Sequence, residues 1–394
     1  MRSITAACVF LFGALASANA QQTDSTTVPV PPPPVRAAGA YMNIGFDGLV
    51  DFGTSTARNV RALQRGDHDP AVKGFTVPNA EISLDGAVDP FFKGFANIAY
   101  KLDENGETGV ELEEVYFITT ALPHNLQVKA GQFLTEFGRQ NGQHPHGWSF
   151  VDQPIVLNRM FGPDGLRSQG ARVSWLAPTP WFTELMVTVQ NSVGETAFSF
   201  RSEESPEIHG GGVVEDTDES LTDLMIVPRV STSFDLSNTQ TVVAGVSGAF
   251  GPNNSAVDAR TSIFGADLYY KWKPEAAQQG FPFVSWQTEV LFRRYGASGE
   301  TLHDNGWYSQ LLWGIRPRII AGLRFDHANG DEGSNESEIR TLRTRVSPNF
   351  TWYPTEFSKL RFQYNYDDRE NIGTDHSFWM QFEFILGAHA AHKF

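Results

Sequence analysis

The sequence predicts an all-β protein, a transmembrane antiparallel barrel of about 16 strands with its third loop folded inward. Three observations predict it. Segments with two-residue alternation of apolar and polar side chains recur from Tyr41 to Phe394. The connections between them alternate between short turns and long polar loops. Beyond the first twenty residues, no apolar run approaches the ~20 residues that a membrane-spanning helix needs.

The alternation carries most of the weight, because successive side chains on a strand point to opposite faces. Phe378, Met380, Phe382, Phe384 and Leu386 alternate with Trp379, Gln381, Glu383 and Ile385. Leu360, Phe362, Tyr364 and Tyr366 alternate with Arg361, Gln363, Asn365 and Asp367. The same pattern runs through Leu185, Val187 and Val189, through Phe264 to Trp272, and through Val284 to Phe292. A soluble sandwich would also produce it. These segments, however, often reach nine residues or more, whereas soluble strands have ~5–6 and tilted membrane strands ~9–11. Several apolar faces end in Trp or Tyr, at Tyr270, Trp272, Trp352 and Tyr366, where aromatic girdles belong. Arg343, Arg345 and Arg361 sit within strands, as a wet lumen would tolerate.

The connections fix the topology. Short turns are expected at Val88-Asp89-Pro90, Leu122-Pro123-His124, Ala177-Pro178-Thr179-Pro180, Asp235-Leu236-Ser237-Asn238, Ile315-Arg316-Pro317 and Tyr353-Pro354-Thr355. Longer loops are expected near 54–74, 137–165, 192–220, 328–338 and 367–375. Short turns on one side and long loops on the other suit an outer-membrane barrel, with both termini at the turn side.

The ends of the chain agree. Residues 1–20 read as a secretory signal: Arg2, an apolar stretch, then Ala18-Asn19-Ala20 as the cleavage motif. Residues 21–40 form a proline-rich periplasmic spacer containing Pro31-Pro32-Pro33-Pro34, and 41–394 the barrel. The single cysteine, Cys8, falls inside the signal, so the mature chain offers no disulfide and no thiolate. Removing Arg2 with the signal leaves 45 acidic against 29 basic residues, a net charge of −16, which argues against a nucleic-acid partner. The terminal Phe394 on an amphipathic last strand resembles the C-terminal signal read by the outer-membrane barrel assembly machinery.

Local motifs add a family. Glu113-Glu114-Val115-Tyr116-Phe117, Val128-Lys129-Ala130-Gly131-Gln132-Phe133, Glu136-Phe137-Gly138-Arg139 and the stretch from Gly165 to Arg172 resemble the phosphate-selective porin O/P family over about residues 110 to 175. The resemblance implies a sixteen-stranded, trimeric barrel narrowed by its third loop. Independently, 137–165 is unusually apolar and aromatic for a loop in water, which predicts that it packs in the lumen.

Phosphate selectivity is not implied, because the chain departs from a basic path. Basic lining candidates are Lys129, Arg139, Arg159, Arg167, Arg172, Arg318, Arg324, Arg343, Arg345 and Arg361. Acidic candidates are as numerous: Asp47, Asp51, Glu81, Asp85, Glu111, Glu113, Glu289, Asp326 and Glu383. A mutually compensating lumen follows. The constriction is expected at Arg139, Arg159, Arg167 and Arg172 on one side and Glu111, Glu113 and Asp152 on the other.

Competing chemistries are less well supported. His144 and His146, His389 and His392, and Asp103-Glu104-Asn105-Gly106-Glu107 fall short of a complete zinc or EF-hand ligand set. They read as loop, rim and turn residues, so no metal and no cofactor is expected. No G-x-S-x-G elbow is present, so no enzyme is expected. The segment before Tyr41 is too short for the plug of a 22-stranded receptor. The expected partners are the lipid bilayer, small ions or solutes, and two further copies of the chain. A gated or substrate-specific channel for phosphate, another anion or a metal, and a non-conducting structural or adhesive barrel, remain as alternatives.

Overall fold

A computed structural model describes residues 42–387, apart from 103–107, 195, 202–219, 257, 298 and 332–340. The predicted signal and spacer, the calcium candidate, His389, His392 and Phe394 lie outside the described residues.

The chain forms sixteen antiparallel strands. In order they are β1 (Met42–Ser55), β2 (Gly74–Ala87), β3 (Phe92–Leu102), β4 (Thr108–Thr119), β5 (Leu126–Leu134), β6 (Arg167–Leu176), β7 (Phe182–Asn191) and β8 (Leu224–Ser237). The second half comprises β9 (Gln240–Pro252), β10 (Arg260–Trp272), β11 (Phe283–Ala297), β12 (Glu300–Arg316), β13 (Ile319–Gly330), β14 (Arg343–Thr355), β15 (Ser358–Arg369) and β16 (Gly373–Gly387). Each strand pairs with the next, and β16 closes on β1 through eleven residue pairs from Gly45↔Gly387 to Ser55↔Ser377. Closure leaves no unpaired edge.

The alternation read from the sequence becomes inside and outside. On β15, Arg361, Gln363, Asn365 and Asp367 are buried in the lumen, while Tyr364 and Tyr366 are exposed on the outer face. On β16, Phe378, Phe382 and Leu386 face out; Trp379, Gln381 and Glu383 face in. A belt of exposed tryptophans (Trp175, Trp286, Trp313 and Trp352) marks the end of the barrel that carries the short turns. An apolar outer band with an aromatic rim is the surface a lipid bilayer requires.

Several expected boundaries shift. Asp235 to Ser237 and Tyr353 to Thr355 belong to β8 and β14, so those turns lie at Asn238–Thr239 and at Glu356–Phe357. The expected loop at 367–375 shrinks to residues 370–372, because the alternation of β15 and β16 extends into it. Two lining candidates also move. Arg318 occupies the β12–β13 turn with φ +72° and donates to the Pro354 carbonyl, and Asp85 is exposed at the turn end, accepting from Asn43.

Two local features position the site. On β4, a register shift opposite Asn97 and Ile98 inserts one extra residue, which turns both Glu113 and Glu114 inward. The β4–β5 seam is short, with four residue pairs from Val115↔Gln132 to Ile118↔Lys129. It includes Gly131, whose φ of +138° favours glycine and where a Cβ would overlap the Val115 carbonyl oxygen.

Candidate functional site

The loop between β5 and β6, residues 135–166 and here L3, folds into the barrel. Asn141 ties its neck: its amide nitrogen donates to the carbonyls of Thr135 and Leu166 (2.8 and 2.9 Å), and its amide oxygen accepts from the Leu166 amide. Within L3 runs one α-helix, α1 (Ile155–Phe161), all of whose residues are buried. Val156, Leu157, Met160 and Phe161 pack with Phe137 and Leu166, with Val227, Ala249, Ile263, Leu291 and Tyr308 of the wall, and with Ala197 and Phe200 of the next loop.

The extended part of L3 lies along the opposite wall. A buried backbone must satisfy its carbonyls, and here side chains of β13–β15 do so. Lys359 donates to the His146 carbonyl, Arg361 to those of Trp148 and Phe150, Asn349 to Ser149, Arg324 to Asp152 and Arg345 to Gln153, at 2.7 to 3.0 Å. Asp152 completes the lock. Its carboxylate meets Arg324 at 2.6 Å and Arg345 at 3.1 Å and also accepts from Gln363 and Asn365.

The near wall is acidic. Asp47 of β1, Glu81 of β2 and Glu113 and Glu114 of β4 surround His144 and His146 of L3, whose rings stack 5.8 Å apart. His144 Nε2 lies 2.8 Å from Glu114, and its Nδ1 lies 3.3 Å from Glu113. The loop between β1 and β2, residues 56–73 and here L1, also turns inward, contrary to the expectation of an outer polar loop. Val60 and Leu63 pack on Val151 and Trp379, and Asp69 accepts from the Gln153 amide at 2.7 Å.

His68 clasps L1 to L3. Its Nδ1 meets the Pro78 carbonyl, and its Nε2 lies 3.2 Å from Asp164 and 3.3 Å from Glu113. Burial opposes a charge there, but the hydrogen bonds the ring donates to Asp164 and Glu113 outweigh it and raise the imidazole to about 10. Because the folded value lies above the ordinary 6.5, the clasp is complete below that pH and is lost as pH rises through about 10. Protease cleavage in L1 is therefore expected to increase between pH 7 and 10.5 in the native barrel. His68→Gln should be cleaved readily at both pH values; equal resistance of both proteins at pH 7 would refute the clasp.

The structure distributes the seven expected constriction residues over the lumen. Arg167 pairs with Glu111 and, at 2.9 Å, with Asp164; Lys101 joins them at 2.7 Å from Glu111. Glu113 faces His68 and His144. Arg172 pairs with Glu136 at 2.7 Å. Arg139 stacks over Tyr269 and donates to Gln287. Arg159 lies on α1 and donates to Gln64 and to the Thr341 carbonyl. Asp152, within L3, is held against the far wall by Arg324 and Arg345. Sequence reasoning missed His68, the inward course of L1 and the histidine–carboxylate cluster. The small apolar signal of Val60 and Leu63 was the available hint.

A closed sixteen-stranded barrel with an inward third loop is the fold of the outer-membrane porins. DcaP, an outer-membrane channel of Acinetobacter baumannii, superposes with a TM-score of 0.58 at 15% identity, over 89% of this chain and 98% of that one. An anion-selective porin from Comamonas acidovorans gives 0.56 at 7% identity, over 88% and 100%. The trimer form of OmpT, an outer-membrane protein of Vibrio cholerae, gives 0.51 at 7% identity, over 88% and 99%. No family model matches the sequence. The chain belongs to the same family as an uncharacterized protein of Aquifex aeolicus (strain VF5), with 31% identity over 356 residues, 82% of this chain and 70% of that protein.

Proposed function

We propose that the protein is an outer-membrane porin through which small ions or solutes diffuse passively along a mixed-charge lumen. The observation that carries the reading is L3, held inside a closed barrel by charged side chains of the wall. Most arginines of β8–β14 lie against carboxylates, as in Arg229–Asp267, Arg293–Asp304 and Arg343–Asp367. Such pairs impose a transverse field rather than a path of one sign. We assign Arg139, Arg159, Arg167 and Arg172 to the basic side of the constriction, and Glu111, Glu113 and Asp152 to the acidic side. The phosphate-selective O/P resemblance is retained for the motif stretch and not for its phosphate selectivity.

Residues 1–20 act as the export signal, 21–40 as a periplasmic spacer and 41–394 as the barrel, with Phe394 presented to the barrel assembly machinery. The apolar outer face meets lipid, and three copies assemble as in the trimer form of the Vibrio barrel. No enzymatic activity and no cofactor enter this reading. An anion-preferring channel is the second reading. It is favoured by Lys271 and Arg361, which line a cavity of about 310 Å³ and form no ion pair with a carboxylate among the described residues.

Refolded protein in a planar bilayer should give stepwise openings of small conductance with a reversal potential near zero under a salt gradient. A strong anion-selective potential would favour the second reading. A heat-modifiable barrel that never opens would overturn both and leave a non-conducting structural barrel.

A further inference from the structure

We propose that Asp47, Glu81 and His146 form a lumenal binding site for a divalent transition-metal cation of the zinc class. The site lies where L3 meets the near wall, and its three ligands come from β1, β2 and L3. One nitrogen and two carboxylate oxygens lie within 4.8 Å of one another. Asp47 Oδ2 is 3.5 Å and Glu81 Oε2 3.4 Å from His146 Nδ1. An ion bonded at ~2.0–2.2 Å to tetrahedrally arranged ligands separates them by roughly 3.3–3.5 Å, so both carboxylate oxygens already stand at such a separation from the imidazole nitrogen.

The independent observation is Asp47. Its side chain is wholly buried, and neither carboxylate oxygen accepts a hydrogen bond. A buried ionised carboxylate is costly unless it is paired, hydrogen-bonded or coordinated to a cation. Imidazole and carboxylate together are the donor set that zinc-class ions take. The outer shell is also built: Asn79 and Asn97 both donate to Glu81, orienting its carboxylate. Access comes from the turn end, because His146 lines the cavity of about 310 Å³ and a water there can fill a fourth position.

His144 is the weaker ligand. Its Nδ1 lies 3.6 Å from Glu81 Oε1 but is already contacted by the Asn97 amide at 3.1 Å. Glu81 therefore stands between the two histidines and supplies its second oxygen to the neighbouring trio of Glu81, Glu113 and His144. The rival state at the site is a proton: an imidazolium held by the two carboxylates with no affinity for metal.

Zinc chloride titrated calorimetrically into the full-length folded barrel in detergent separates these states. Wild type should bind Zn²⁺ at the site, and Asp47→Asn and His146→Ala should each weaken binding by roughly tenfold or more. His376→Ala, at an exposed histidine on the outer face of β16, should leave it unchanged. Absence of zinc binding in wild type, or undiminished binding in folded Asp47→Asn and His146→Ala, overturns the site. Should neither variant fold, the visible spectrum of Co²⁺ added to wild type decides. Intense four- or five-coordinate absorption supports the site, and the weak spectrum of the aqueous ion overturns it. Both readouts are independent of conductance, so a silent bilayer leaves the metal site standing, and a barrel without zinc leaves the porin reading standing.

Discussion

Asp152→Ala is expected to free L3 from the far wall and raise single-channel conductance several-fold. The wild-type carboxylate is buried and receives Arg324, Arg345, Gln363 and Asn365 at once. Its removal leaves two buried guanidiniums sharing Asp326, which Arg324 reaches at 2.8 Å and Arg345 at 3.5 Å. Breaking a buried pair on one side costs about 3–5 kcal/mol, a large fraction of what can hold a single loop in place. The wall itself retains its hydrogen-bond ladder, so the barrel should still migrate as a folded species. The pH behaviour follows from the same contacts. Burial pushes the Asp152 carboxyl up, but Arg345 and Arg324 outweigh it and hold it at about 2. Its contribution is thus present above the ordinary value of 3.8 and is lost only as pH falls through about 2. Wild-type conductance should be flat from pH 7 to 4, while Asp152→Ala is high throughout. A variant with wild-type conductance would mean that L3 stays seated without this carboxylate.

The second large effect is expected at Gly131, where Gly131→Val should sharply lower the yield of folded barrel. A side chain there meets the Val115 carbonyl and the Tyr116 backbone, neither of which can yield without opening the ladder. The backbone adds to this, since φ of +138° is strained for any residue with a Cβ, at about 1–3 kcal/mol. The seam that would absorb the strain has four residue pairs, whereas β10–β11 has twelve. Gly131→Ala should be intermediate, and the heat-shifted fraction on a gel orders the three proteins. A folded yield for Gly131→Val equal to wild type would count against the steric account.

The outer wall was legible because a two-residue period needs no partner to be read. Leu360 to Asp367 announces its two faces within eight residues, and β15 carries them in that arrangement. The inward course of L3 was legible from its Trp148, Phe150 and Phe161, which would not remain in water. The loop's fastening was not legible. Arg324, Arg345 and Arg361 looked like lining charges, yet they donate to backbone carbonyls, and a carbonyl leaves no mark in the sequence. Nor was the extra residue on β4: two adjacent glutamates on a strand imply that one faces lipid, until a register shift turns both inward. L1 carries too few apolar residues to betray its inward course.

The fastening of L3 has a consequence for biogenesis. The carbonyls of Trp148, Phe150 and Asp152 find their donors 213, 211 and 172 residues further along the chain, on the last strands to be made. Until β13 to β15 are in place, these carbonyls lack the donors that hold them in the folded barrel. The seating of the loop therefore belongs to a late stage of assembly, once β15 is in place. A nascent barrel whose last hairpins arrive late would carry an unseated segment, and the narrowing of the pore as that segment seats would report the completion of assembly.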